Sequence, residues 1–161
     1  MAKPPRDYSS VTTNTYFITS GAFNGQALFQ SERVAKLLID TLLEYRRQGK
    51  FLVHEFVVMP NHLHMLLTTV ESITLGRSVQ FIKGGFSHRA GKQLEMRGEI
   101  WQRGYVDHRI RDARDFASHR EYIRLNPVKA HLAECPEAYA YSSAFPGFEP
   151  DEVPQGLKPI L

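Results

Sequence analysis

The sequence predicts an α+β fold, with an antiparallel sheet in the split β-α-β-β-α-β order of ferredoxin-like domains and one further helix. Three observations point there. Segments rich in β-branched and aromatic residues alternate with segments whose apolar residues recur at helical spacing. The order of those segments is β-α-β-β-α-β-α, and such a core packs as an antiparallel sheet with helices on one face. The chain has 161 residues, 42% of them apolar, and shows neither repeat nor linker, so it is read as a single domain over 1–161.

Thr15 to Thr19 is β-branched and aromatic and ends near Gly21, which marks a first strand. Ser31 is placed to cap a helix carrying Val34, Leu37, Leu38, Leu42 and Tyr45 at helical spacing, with Gly49 as its stop. Phe51 to Val58 and His62 to Val70 read as two strands. Met59-Pro60-Asn61 between them is either a turn or a kink in one long strand.

Thr74 is a cap for a second helix with Leu75, Val79, Ile82 and Phe86 on one side. Gly84-Gly85 inside it costs roughly 1 kcal/mol per glycine relative to alanine, which suggests a kink or close approach by a ligand backbone. Ile100 to Ile110 alternates as a fourth strand. A third helix runs from about Asp112 to Asn126, where Pro127 should end or bend it. From about 136 to 161 the tail is rich in proline, glycine and aromatics and is expected to pack as an irregular strap.

Composition narrows the classes. No run reaches the roughly 18 apolar residues of a membrane helix, and Met1 to Asp7 lacks the apolar core of a signal peptide. Cys135 is the only cysteine, so no internal disulfide can form and a cytoplasmic setting fits. The net charge of +3 permits nucleic-acid binding without demanding it.

The chemistry concentrates in two places. In His62-Leu63-His64 the strand period of two turns Leu63 to the core and both imidazoles outward together, so the pair can grip a divalent cation. On the third helix, Tyr122 and Asn126 are one turn apart on one face. An amide oxygen from Asn126 is a hard ligand suited to Mg²⁺ or Mn²⁺, and the phenol of Tyr122 stands beside it. A metal polarising a phosphate, with a tyrosine nucleophile, suggests phosphoryl transfer through a covalent phosphotyrosine. An unperturbed tyrosine is mostly protonated at neutral pH, and the sequence does not identify the group that takes its proton.

Met59-Pro60-Asn61-His62-Leu63-His64 resembles the signature of the single-tyrosine HUH transposases, the IS200-like group. Trp101-Gln102-Arg103-Gly104-Tyr105, Asp107-His108 and Tyr122-Ile123-Arg124-Leu125-Asn126-Pro127-Val128-Lys129-Ala130 look like its REP-associated tyrosine transposase branch. The resemblance covers about Tyr16 to Ser143. It implies a ferredoxin-like fold with the histidines on a central strand, and cleavage and rejoining of single-stranded DNA near hairpins or repeats. The implied products are a 5′-phosphotyrosine and a free 3′-OH. By position His62 and His64 become metal ligands and Tyr122 the nucleophile. Asn126 takes the third-ligand place that insertion-sequence members commonly fill with glutamine. The family contains both monomers and homodimers.

Lys83, Arg89 and Lys92, with His88 and Arg97, gather positive charge along and after the second helix as a candidate phosphate track. Arg109 and Arg111 on the fourth strand, and Arg120 and Arg124 on the third helix, are weaker candidates. Asp107 and His108 are candidates for supporting the site. Trp101 and Tyr105 could stack on an unpaired base, although packing is the commoner role for Trp101. His54 reads as a core or solvated histidine. A catalytically silent hairpin-binding regulator, a ferredoxin-like RNA-binding module and a relaxase are the competing readings. The intact histidine–tyrosine set argues against the first two, and the short chain and Asn-Pro signature against the third.

Overall fold

The computed structural model describes residues 13–153 and 157. The reading of the N-terminal segment, and that of tail residues 154–156 and 158–161, lies outside them. The elements are β1 (Thr15–Gly21), α1 (Glu32–Arg47), β2 (Phe51–Met59), β3 (His62–Thr69), α2 (Leu75–Gln93), β4 (Val106–Arg109) and α3 (Ala113–Lys129). The strands lie in the order β2-β3-β1-β4, and every neighbouring pair is antiparallel. This is the split α+β arrangement expected from the segment order.

Local chemistry sets the boundaries. Ser31 Oγ accepts the Val34 N–H at 3.2 Å, Thr74 Oγ1 that of Arg77 at 3.1 Å, and the Asp112 carboxylate that of Asp115 at 2.7 Å. Each satisfies an N–H that a helix start leaves orphaned. Gly49, at φ +79°, makes the left-handed exit from α1. Met59 pairs with His62, so Pro60-Asn61 is a tight turn and not a kink. Its carbonyls are tied down, Pro60 O by the Phe29 N–H at 2.9 Å and Asn61 O by the Ala22 N–H at 2.8 Å.

The register separates the two faces of the sheet. On one face Ile18, Leu63, Met65, Leu67, Val53 and Phe56 meet Leu38 and Leu42 of α1 and Val79, Ile82 and Phe86 of α2 in one buried cluster. On the other, Val57, Met59, Leu66 and Ile110 form a smaller cluster with Phe116 and Ile123 of α3 and Tyr139. The sheet is thus covered on both sides, α3 lying opposite the other two helices.

Three expectations need correction. The fourth strand is only Val106–Arg109, not Ile100 to Ile110: Gly104 turns at φ +75°, and Trp101 keeps a single bridge to Ala22. The third helix does not stop at Asn126 but runs through a buried Pro127 to Lys129. A proline removes one N–H, and here the following turn stays closed, with the Ala130 N–H on Asn126 O at 3.1 Å. Gly84-Gly85 does not kink the helix, which runs unbroken from Leu75 to Gln93. A Cβ on Gly85 would stand 2.6 Å from Tyr45 Cε2, so the bare backbone admits the Tyr45 ring where α1 and α2 meet.

Residues 136–153 run against the outer edge of the sheet. The Val58 N–H donates to Tyr141 O at 2.8 Å, Ser143 N–H to Phe56 O at 2.9 Å and Asp151 N–H to Val53 O at 3.0 Å, which occupies the edge of β2. Tyr139 Oη donates to Val58 O at 2.7 Å, and burial pushes its phenol up to about 12. Among the described residues, no helix is long and apolar enough to cross a membrane.

Candidate active site

The histidine pair sits on β3 next to the turn. Leu63 is fully buried toward α1 and α2, whereas His62 and His64 face α3, as the period of two requires. They do not both face solvent: His64 is only 5% exposed, because Phe17 and Tyr122 close over it. The ring centroids of the two histidines are 4.5 Å apart at 76°. His62 Nδ1 donates to Asn61 Oδ1 at 2.6 Å, and His64 Nδ1 is hydrogen-bonded to Thr19 Oγ1 at 2.8 Å. Among the described residues the Nε2 atoms have no hydrogen-bond partner. Burial lowers the pKa of His62; burial, then the neighbouring His62, pushes that of His64 down to about 3. Both rings are therefore neutral at pH 7, the state in which imidazole binds a metal.

Tyr122 comes from α3. Phe116, Ile123 and Pro127 are the buried residues of that helix, and they seat it on the sheet. Beside them Asp115, His119, Tyr122 and Asn126 follow one another in steps of four, three and four, so they form a single stripe. The phenol ring is 5.4 Å from the His64 ring and 5.8 Å from Phe17, and Tyr122 remains 46% exposed, open to a large substrate. Asn126 is half-buried one turn further on. Because the helix continues through Pro127, Asn126 keeps helical backbone and stays in register with Tyr122.

Buried Glu55 on β2 anchors the same helix. Its carboxylate accepts from Arg120 Nε at 3.4 Å and from Arg124 at 3.2 Å, and Arg124 also reaches Glu137 at 3.0 Å. Both arginines thus have an acceptor on the protein, although the Arg120 side chain stays half exposed. Lys83 is engaged too: its Nζ donates to Gln102 O at 3.0 Å and Gly104 O at 2.7 Å, and Trp101 Nε1 donates back to Lys83 O at 3.1 Å. Burial lowers the Lys83 pKa. Trp101 packs against Phe29 and Phe86, so it serves the core. Arg89 is half-buried and Lys92 exposed on α2. Arg109 and Asp107 stand opposite Tyr16 and Ile18, which puts them on the face away from the histidines; Arg111 is exposed beyond the strand.

His108 does face the site side, opposite Phe17. Its Nε2 donates to Asp115 Oδ2 at 2.8 Å, and His119 Nδ1 lies 3.0 Å from Asp115 Oδ1. Burial opposes the charge of Asp115, but hydrogen bonds from His108 and the Arg111 N–H outweigh it and hold the carboxyl below its usual range. The donor atoms of the three side chains lie within 4.8 Å of one another. Asp115 and His119 had escaped the sequence reading, as had Thr19, Asn61 and Phe17 as supports of the histidines. The helical stripe was the available signal for the first two. His54 is a core histidine, with Nε2 2.7 Å from Thr68 Oγ1 and Nδ1 3.0 Å from Asp151 O.

Known proteins resemble this chain in sequence and fold. The REP-associated tyrosine transposase of Escherichia coli K12 is 28% identical over 147 residues, covering 91% of this chain and 82% of its own. A solved structure described as a REP-associated tyrosine transposase bound to a REP hairpin superposes with a TM-score of 0.71. It is 26% identical and covers 89% of this chain and 82% of its own. A transposase structure from Deinococcus radiodurans R1, 23% identical with a TM-score of 0.52, covers 76% and 95% and shares the fold. The family model "Transposase IS200 like" matches residues 12–126, a span that takes in the histidine pair, Tyr122 and Asn126. With the fold, the signature residues and the family model in agreement, the chain belongs to the IS200-like transposases.

Proposed function

We propose that this transposase is a metal-dependent single-stranded DNA transesterase of the REP-associated type, with Tyr122 as nucleophile. One observation carries the reading: a half-exposed tyrosine from α3 stands 5.4 Å from a buried, neutral histidine whose partner ring is 4.5 Å away. The donor set fits a divalent cation. With Nδ1 of each histidine as donor to Asn61 or Thr19, both Nε2 lone pairs are fixed toward the site, and Asn126 adds an amide oxygen. His62, His64 and Asn126 would hold Mg²⁺ or Mn²⁺, which would supply Lewis-acid polarisation of the scissile phosphate.

The protein's own part is positional. Tyr122 Oη forms a bond to phosphorus as the P–O3′ bond breaks, leaving a 5′-phosphotyrosine and a free 3′-OH; attack by a 3′-OH on that ester reverses the step and joins strands. Phe17 and His64 brace the phenol edge-on, which limits its travel, and the Glu55–Arg120–Arg124 cluster fixes the helix that carries it. The favoured substrate is a single strand next to a hairpin, the element named for the solved relative. The exposed cations Lys92 and Arg111, with Arg89, are the better candidates for phosphate contact, since Lys83, Arg120 and Arg124 already hold internal acceptors.

The test is incubation of labelled single-stranded hairpin oligonucleotides with Mg²⁺ or Mn²⁺, followed by a denaturing protein gel. Label retained by the wild type and lost in Tyr122→Phe is the expected result. An adduct of normal yield in that variant would overturn the nucleophile, and hairpin binding with no adduct in the wild type would favour the silent regulator.

A further inference from the structure

We propose that His119, held by Asp115, is the proton carrier of the tyrosine chemistry; the inference rests on the reading of Tyr122 as nucleophile. In that step Tyr122 Oη loses a proton, the Oη–P bond forms, the P–O3′ bond breaks and O3′ gains a proton. Nothing is consumed. One group that accepts a proton and returns it serves both ends of the reaction, and the joining step runs the same transfer backwards.

His119 meets the requirements of such a group. It precedes Tyr122 by one turn on the polar stripe of α3, and both side chains rest on the same Phe17 ring, at 4.9 and 5.8 Å. His64 lies against that ring too, at 5.3 Å, so Phe17 is a common floor for His64, the phenol and His119. The His119 Nδ1–H faces Asp115 O at 2.9 Å and Asp115 Oδ1 at 3.0 Å, which leaves the lone pair on Nε2. Among the described residues Nε2 has no hydrogen-bond partner. Asp115 is itself fixed, because its Oδ2 accepts from His108 Nε2 at 2.8 Å and from the Arg111 N–H at 3.1 Å. The hydrogen bond to the Asp115 carbonyl, with the Asp115 carboxylate beside it, fixes the tautomer of the imidazole, as an acid does for a base. The titratable groups around His119 are Asp115 and Tyr122 on its own helix, His108 from β4 and His64 of β3 across Phe17.

The same three side chains could be taken for a second cation site. Their geometry favours the relay. The His108 and His119 rings stack at 4.6 Å and 19°, so their lone pairs lie in two nearly parallel planes and an ion between the rings would stand out of both. Nδ1 of His119 is also turned to the carbonyl of its own helix.

The experiment is single-turnover adduct formation by the full chain on labelled single-stranded DNA with Mn²⁺, with DNA affinity measured alongside. His119→Asn keeps a donor toward Asp115 and removes Nε2. It should slow the adduct about 10²- to 10⁴-fold at unchanged affinity. His119→Ala should be slowed similarly and recover rate with added imidazole, which Tyr122→Phe would not. Wild-type rates in both His119 variants would overturn the proposal, as would slowing that comes with lost affinity and no response to imidazole. An ion kept by a His62→Ala/His64→Ala protein and released by a further Asp115→Asn would also overturn it, because a metal on Nδ1 moves the hydrogen to Nε2. No adduct in the wild type would defeat the Tyr122 reading itself, and this inference with it.

Discussion

The two faces of the sheet follow different rules. Toward α1 and α2 the three strands β1, β2 and β3 present a largely apolar surface, and one continuous cluster fills the space. Toward α3 the apolar cluster is small, and the same strands present Thr19, Glu55, His62, His64 and His108. Antiparallel sheets allow this division because alternate residues belong to different faces. Stability is concentrated on one side, and the other is left to carry polar groups whose burial is compensated one by one: Glu55 by arginines, His64 by Thr19, His108 by Asp115. Substitutions on the two faces should therefore fail in different ways.

The largest difference is expected at His64. His64→Ala should reduce metal-dependent adduct formation below detection while leaving a folded protein. Replacing a ring that is buried in its neutral state also removes an acid-sensitive group. Adduct formation at the normal rate with the same metal would show that the pair does not hold the ion. The matching change on the other face is Phe86→Ala. It empties a fully buried site between Phe29 and Trp101 and should cost about 3–5 kcal/mol of stability in a denaturant melt. The adduct rate per folded molecule should be unchanged. A rate that fell with stability intact would mean that the two faces are not independent.

How much of this division was legible in the sequence depends on the residue. Thr15-Tyr16-Phe17-Ile18-Thr19 and His62-Leu63-His64 alternate so plainly that strand, face and histidine pair follow from period alone. Ser31, Thr74 and Asp112 marked their helix starts for the same local reason, a side chain that accepts an N–H. The misreadings arose where tertiary contacts override local preference. Pro127 sits inside α3 because its ring is buried against the sheet side, which a rule about helix interiors does not weigh. Gly85 is explained by a tyrosine forty residues earlier. For Lys83, Arg120 and Arg124, charge in a sequence carries no record of its partner: the fold gives them Gln102 O, Gly104 O and Glu55 as acceptors, and contact with phosphate is what a salt titration tests. The Asp115–His119 pair had a readable i, i+4 spacing, but nothing local showed that His108 and Phe17 would meet it.

Acid should separate the faces next. His54, His62 and His64 all have folded-state pKa values below the ordinary 6.5, that of His64 at about 3. Below pH 6.5 the unfolded chain therefore binds protons that the folded chain refuses, and stability present at neutral pH is lost as pH falls. Each such histidine can contribute a slope of up to about 1.4 kcal/mol per pH unit over its window, which for His64 extends down to about 3. Urea melts between pH 7 and 4 should show this loss, and His64→Ala should flatten it. An unchanged slope in that variant would place the acid sensitivity elsewhere. A smaller effect is expected at Thr19→Val, which keeps shape and removes the oxygen against His64 Nδ1. Metal affinity should fall about 10- to 100-fold with little change in the melt, since such supports act on ligand orientation and basicity. Unaltered metal titration would remove Thr19 from the site.

The smallest effect expected concerns Lys83, and it bears on how a cation should be read. A lysine that neutralises a phosphate contributes to the salt dependence of DNA binding, and its loss lowers that slope by about one. Lys83 instead bridges the carbonyls of Gln102 and Gly104, its ammonium lies 5.6 Å from the Trp101 ring, and its pKa is lowered by burial. Lys83→Met should therefore leave the salt slope as it is and lower stability, because two carbonyls lose a charged donor at about 1.5–3 kcal/mol per such bond at most. Lys92→Met, on the exposed last turn of α2, should do the reverse if α2 faces the phosphates. A slope reduced by Lys83→Met with an unaltered melt would return Lys83 to the DNA and make the carbonyl bridge a resting position. The opposite result would confine the phosphate contacts to the cations that the fold leaves at its surface.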